Sequence, residues 1–192
     1  MKEIKFKNVY SFYAQFNLKD GPHSFETLPL SEEIDKAKEN GARVLRAALE
    51  IEHLLEDFIQ SYLFGASYGQ NGIFFNEQIL KSSFFGFANK KQVYLSLIKG
   101  LNDVSGEEYS RLQEGLKNVM SYRNAFAHGE YVGFALGNIV VLRYFSGEMK
   151  EDKLSDEYWL KLLECFQKTD ELIGRVRQML PTGKGDIPEI LI

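Results

Sequence analysis

The sequence contains a single cysteine, Cys165, which excludes an intramolecular disulfide framework and leads us to expect a reducing, cytoplasmic setting. Its three histidines, His23, His53 and His128, are scattered and no His/Cys ligands cluster, so neither a metal site nor a cofactor is indicated. No run approaches the ~18 apolar residues of a membrane span, and no basic, apolar signal segment opens the chain. Basic charge is not in excess. A net charge of −4 and a pI near 5.5 argue against a broad nucleic-acid-coating surface, so DNA binding is not expected and any RNA contact must be local. Gly65, Gly69 and Gly72 recur irregularly with no following Lys-Ser/Thr, which excludes a phosphate-binding loop. What is present, 192 residues with 44% apolar and 14% aromatic content, suits one globular domain with a proper core.

Helical periodicity dominates. Ser31, followed by Glu32 and Glu33, reads as the N-cap of a long helix. From Ile34 to Tyr62 apolar residues recur at alternating spacings of three and four, predicting a helix of about thirty residues. Gly41 interrupts it at a cost of about 1 kcal/mol against Ala, and so permits a close helix crossing or a bend. His53, with Glu50 and Asp57 on its own side, reads as exposed. Helices are expected from near Asn76 and near Asn89. In the second, Lys90, Lys91 and Lys99 form a basic side, either solvated or steering RNA. Ser105 and Glu108 form a capping box that opens the next helix. After Gly129 the period falls to two. Tyr131–Leu136 and Ile139–Phe145 flank Gly137-Asn138, a hairpin signal. Ser155 caps a final helix that Pro181 stops. The expected fold is mainly α, an up-and-down helical bundle with a β-hairpin (about 131–145) inserted before the last helix. An aromatic arm (1–30) precedes the helical domain (31–180), and an apolar-ended tail (181–192) follows it.

The stretch Tyr122–Tyr131 organises the rest. Tyr109, Leu112, Leu116 and Val119 form a stripe, and continuing its rhythm leads to Arg123 and then Phe126. This places a permanent charge in the phase that should face packed protein, which is costly without polar partners. Asn124 and His128 are four apart and share a face, so they can address a common ligand. Arg123 and His128 lie roughly 140° apart around an ideal helix, and cooperate best if the helix end is distorted or a second copy supplies the complementary residue. Gly129 is suited to the left-handed conformation that ends helices. On helix grammar alone, a C-capping histidine and an arginine tying down stray carbonyls remain an alternative.

Arg123-Asn124, three intervening residues and His128 resemble the R-polar-x-x-x-H motif of HEPN domains, the higher eukaryote and prokaryote nucleotide-binding family. The resemblance extends to the motif's place at the end of the penultimate long helix and covers about Ser31 to Leu180. It implies an all-α homodimer in which two motif helices face each other and form a metal-independent endoribonuclease of toxin or defence type. Arg123 and His128 would then be catalytic, and Asn124 and Tyr131 supporting. The implied substrate is RNA, cleaved by its own 2′-OH, and an antitoxin or regulatory protein is an implied partner. Some members carry a Tyr two residues after the His. Here that position is Glu130 and the tyrosine, Tyr131, follows one later. A non-catalytic HEPN-like module binding a nucleotide or a protein is the second class of function, consistent with the acidic charge.

Overall fold

The computed structural model describes residues 30–65, 69–136 and 139–180, together with the backbone of residues 4–5 and 13–14. It is mainly helical with a small antiparallel sheet before the last helix. In chain order the elements are β1 (Ile4–Lys5), β2 (Tyr13–Ala14), α1 (Leu30–Phe64), α2 (Gly69–Phe75), a π-helical segment (Asn76–Leu80), α3 (Phe87–Ile98), α4 (Gly106–His128), β3 (Glu130–Phe134), β4 (Ile139–Phe145), β5 (Met149–Lys153) and α5 (Asp156–Gln178). β1 pairs antiparallel with β2. The rest of the expected arm, the tail after Leu180 and the Gly137-Asn138 turn lie outside the described residues.

Local grammar explains most boundaries. α1 begins at Leu30, so Ser31 lies inside its first turn and does not cap it. The capping box on α4 forms reciprocally. The Glu108 N–H donates to Ser105 Oγ at 3.2 Å and the Ser105 N–H to Glu108 Oε2 at 3.1 Å. The bonds that the Ser105 N–H and Ser105 Oγ–H donate to Glu108 Oε2 hold that carboxyl below the usual range. Ser155 Oγ accepts from the Tyr158 N–H at the start of α5. The expected hairpin is part of a three-stranded sheet of order β3-β4-β5. β5 escapes a periodicity reading because its sequence, Met-Lys-Glu-Asp-Lys, is nearly all charged. The turn that leads into it, Ser146-Gly147-Glu148, closes with a Ser146 N–H to Glu148 O bond of 2.8 Å, and Gly147 takes φ 77°.

The chain divides into two compact units, residues 1–49 with 117–168 and residues 50–116 with 169–192, so α1, α4 and α5 each contribute a segment to both. The first unit contains the sheet. Here α1 packs on β3 at Gly133, where an added Cβ would lie 2.8 Å from Ile34 Cδ1 and 3.1 Å from Leu30 Cδ1. The second unit buries Leu55, Phe58, Tyr94, Ile98, Leu112 and Ile173. Phe58 meets Tyr94 edge-on at 4.8 Å.

The second unit also buries charge. Lys90, expected on a basic side facing solvent or RNA, is only 5% exposed. Its Nζ bonds Glu52 Oε1 at 2.6 Å and Glu56 Oε1 at 2.5 Å. Burial pulls the Lys90 pKa down, but the hydrogen bonds and attraction of the two carboxylates outweigh it and leave it above the usual lysine value. Because the folded pKa is raised, this contribution is fully present below the unfolded lysine pKa and is lost only as pH rises through the folded one. Replacing Lys90 with Met strands two carboxylates in the interior. We predict that Lys90→Met loses about 3–5 kcal/mol in urea unfolding at neutral pH, more than the double change of Glu52 and Glu56 to Gln made with it.

Candidate functional site at the end of α4

The last turns of α4 carry the motif. Their packing is decided by aromatic side chains in the first unit. Phe126, 5% exposed, stacks on Trp159 of α5 with centroids 5.5 Å apart and meets Tyr131 of β3 at 6.5 Å. Tyr122 meets Tyr158 edge-on at 6.1 Å and Phe166 at 6.3 Å. Ala125 is also buried.

With Tyr122, Ala125 and Phe126 occupying the packed side, Arg123 is left on the surface. This corrects the expectation that Arg123 continues the apolar stripe. The packed side steps from buried Val119 to half-buried Tyr122 and buried Phe126 and passes Arg123 by, because rings on α5 and β3 meet those two side chains. The burial cost ascribed to the guanidinium is therefore not incurred in the single chain.

Arg123, Asn124, Ala127 and His128 are all exposed. Arg123 Nη1 donates to Asn124 Oδ1 at 3.0 Å, and this bond orients the amide beside the guanidinium. His128 lies one turn beyond Asn124 on the same face. The exposed turns thus carry a fixed cation bonded to an oriented amide, with an imidazole sharing the amide's face, donors suited to an anionic oxygen; the guanidinium and the imidazole point apart on this single helix.

Tyr131 does not join them. It is half-buried, its hydroxyl is lodged against Gly41 of α1, and burial pushes its phenol pKa up. Arg143 lies near the helix end through its backbone: a Cβ on Gly129 would come 3.2 Å from the Arg143 carbonyl. Its side chain is engaged with Glu151 Oε1 at 2.8 Å.

Gly129 ends α4, but not in the left-handed conformation expected of it. Among the described glycines positive φ occurs at Gly65, Gly69 and Gly147. Glycine is required at this position by space. A Cβ would strike the Ala125 carbonyl and approach Leu142 Cδ1 to 2.8 Å.

A second polar group, not anticipated from the sequence, lies on the helix-facing side of the sheet. Tyr144 donates to Asp152 Oδ2 at 3.0 Å, and burial together with that carboxylate pushes the Tyr144 phenol up to about 12. Tyr122 and Tyr158 are raised as well, chiefly by burial. Phenols held this far above neutrality keep their protons, so these tyrosines do not act as bases. The strand pairing that brings Asp152 to Leu142, beside Tyr144, was its missing signal.

His53 is exposed and Cys165 half-buried, whereas His23 lies outside the described residues. Among the described residues no group of three or more His, Cys, Asp or Glu could hold a metal ion, and no helix is long and apolar enough to cross a membrane. A scan against protein-family models and searches of curated proteins and of solved structures returned no match.

The exposure of the motif and the burial beneath it separate two kinds of substitution. Arg123→Ala and His128→Ala should each change unfolding stability by under about 0.5 kcal/mol. Phe126→Ala should cost about 3–5 kcal/mol, because it empties the space against Trp159. Urea titration of the three variants checks this, and a large loss in His128→Ala would mean the imidazole holds the helix end together.

Proposed function

We propose that the chain is a metal-independent endoribonuclease of the HEPN type, cytoplasmic, acting as a homodimer in a toxin or defence role. The observation that carries this reading is the joint exposure of Arg123, Asn124 and His128 on the last turns of α4, with Arg123 bonded to Asn124. Three polar residues at the spacing of the R-polar-x-x-x-H motif are thus free to meet a ligand. Within one helix Arg123 and His128 diverge, so a second copy facing this surface would bring two imidazoles and two guanidiniums into one cleft.

In such a cleft one neutral imidazole takes the proton from an RNA 2′-OH. The 2′-oxygen forms a bond to the adjacent phosphorus, and the bond from phosphorus to the 5′-oxygen breaks. The other imidazole, protonated, delivers its proton to the leaving 5′-oxygen, which leaves a 2′,3′-cyclic phosphate. The arginines offset charge on the phosphorane. Asn124 orients Arg123 or a phosphate oxygen. An antitoxin or regulatory protein would act by covering this face.

The second reading, a non-catalytic module that binds a nucleotide or a protein through the same residues, is favoured by the net charge of −4. Cleavage assays in EDTA, combined with solution mass, separate the two. The wild type should cut RNA as a dimer, and His128→Ala should cut roughly 10²–10⁴-fold more slowly. In a mixture of Arg123→Ala with His128→Ala, one mixed dimer retains a single intact Arg and a single intact His on opposite chains, and partial activity there would support a composite site across the interface. Undiminished cleavage by His128→Ala, or a monomer at micromolar concentration, would remove the nuclease mechanism and leave the binding module.

A further inference from the structure

Three glycines press the segment that follows α4 against its neighbours, and one of them lies far away in sequence. Gly41 sits in the body of α1, where glycine costs a helix about 1 kcal/mol relative to alanine. A Cβ there would collide with the Tyr131 hydroxyl, and it would lie 3.1 Å from Tyr131 Cζ and 3.0 Å from Phe126 Cδ1. Tyr131 follows His128 by three residues, and the connection between them has no slack. Gly129 is wedged against the Ala125 carbonyl and Leu142, and Gly133 against Ile34 and Leu30. Phe126, whose ring meets Tyr131, belongs to the same last turns that carry Asn124 and His128.

We propose that Gly41 and Tyr131 form a latch that sets the position of the α4 end, so that both are positioning residues for His128 in the reaction proposed above. The tyrosine acts through its shape: its hydroxyl fills the notch that the missing Gly41 side chain leaves. Any displacement of the ring is passed to His128 by two routes, along the backbone through Gly129 and through Phe126 into the last turn. Burial, which raises the Tyr131 pKa, agrees with a neutral phenol packed against helix backbone.

The latch rests on the nuclease reading only for its catalytic consequence, and the experiment keeps the two apart. In Gly41→Ala the backbone amide signals of Ala127, His128 and Glu130 should shift while those of α3 stay in place. In a wild type that cleaves RNA, kcat should fall roughly tenfold to a hundredfold with KM little changed. Adding Tyr131→Phe removes the one oxygen that collides most severely, and should return the amide signals and the unfolding midpoint towards wild type. A change that merely lowered stability would not move these amides selectively, nor be reversed by deleting that oxygen.

Unmoved amides in Gly41→Ala, or a shift that Tyr131→Phe does not reverse, overturns the latch. If Gly41→Ala does not fold, the double variant decides: recovery of folding supports the latch, and failure of both overturns it. A wild type that cuts no RNA but shows the reversible shift retains the latch and loses the nuclease.

Discussion

The stacking of Phe126 on Trp159 is the contact on which the candidate site depends. It selects which side of α4 is covered in its final turns, and every polar residue of interest follows from that selection. With Phe126 and Tyr122 turned to the rings of α5, Arg123, Asn124 and His128 come to the surface. An aromatic pair of this kind contributes more than its area, because ring shape restricts the helix rotations that keep contact. The exposed motif is therefore built on a tightly determined base. Catalytic or binding groups are best supplied in this way, since their own side chains gain little from the fold and their placement must come from what lies beneath.

The two units reach stability by different means. In the first, aromatic rings and glycine contacts give close packing around the sheet: Gly41, Gly129 and Gly133 each stand where a methyl group would intrude. In the second, a lysine is enclosed by two carboxylates. Such an arrangement adds little net stability relative to an apolar replacement, but its loss of one partner is severe, so it favours one register of α3 against α1 over others. Gln60, also buried, donates to the Gly72 carbonyl at 3.3 Å and adds a second polar constraint from the same helix. These groups are too enclosed to address a ligand from solvent.

Elements governed by interactions within about four residues were legible from the sequence. The Ser105/Glu108 box, the Ser155 cap, the long apolar stripe of α1 and the switch to a period of two after Gly129 each depend on near neighbours, and each appears in the structure. So does the shared face of Asn124 and His128, which follows from helix geometry alone. Tertiary structure decided the rest. Lys90 reads as a surface residue until Glu52 and Glu56, 38 and 34 residues away, are folded onto it. β5 has almost no apolar pattern and exists because β4 offers it an edge to pair with. Arg123 falls in a buried phase by periodicity and is exposed because the rings opposite favour Tyr122 and Phe126. Gly41 reads as a helix crossing or a bend, whereas the side chain that packs against it is Tyr131 of β3, ninety positions on. Periodicity reports how a helix presents its faces, whereas burial depends on what another part of the chain brings to each face, and that information is not local.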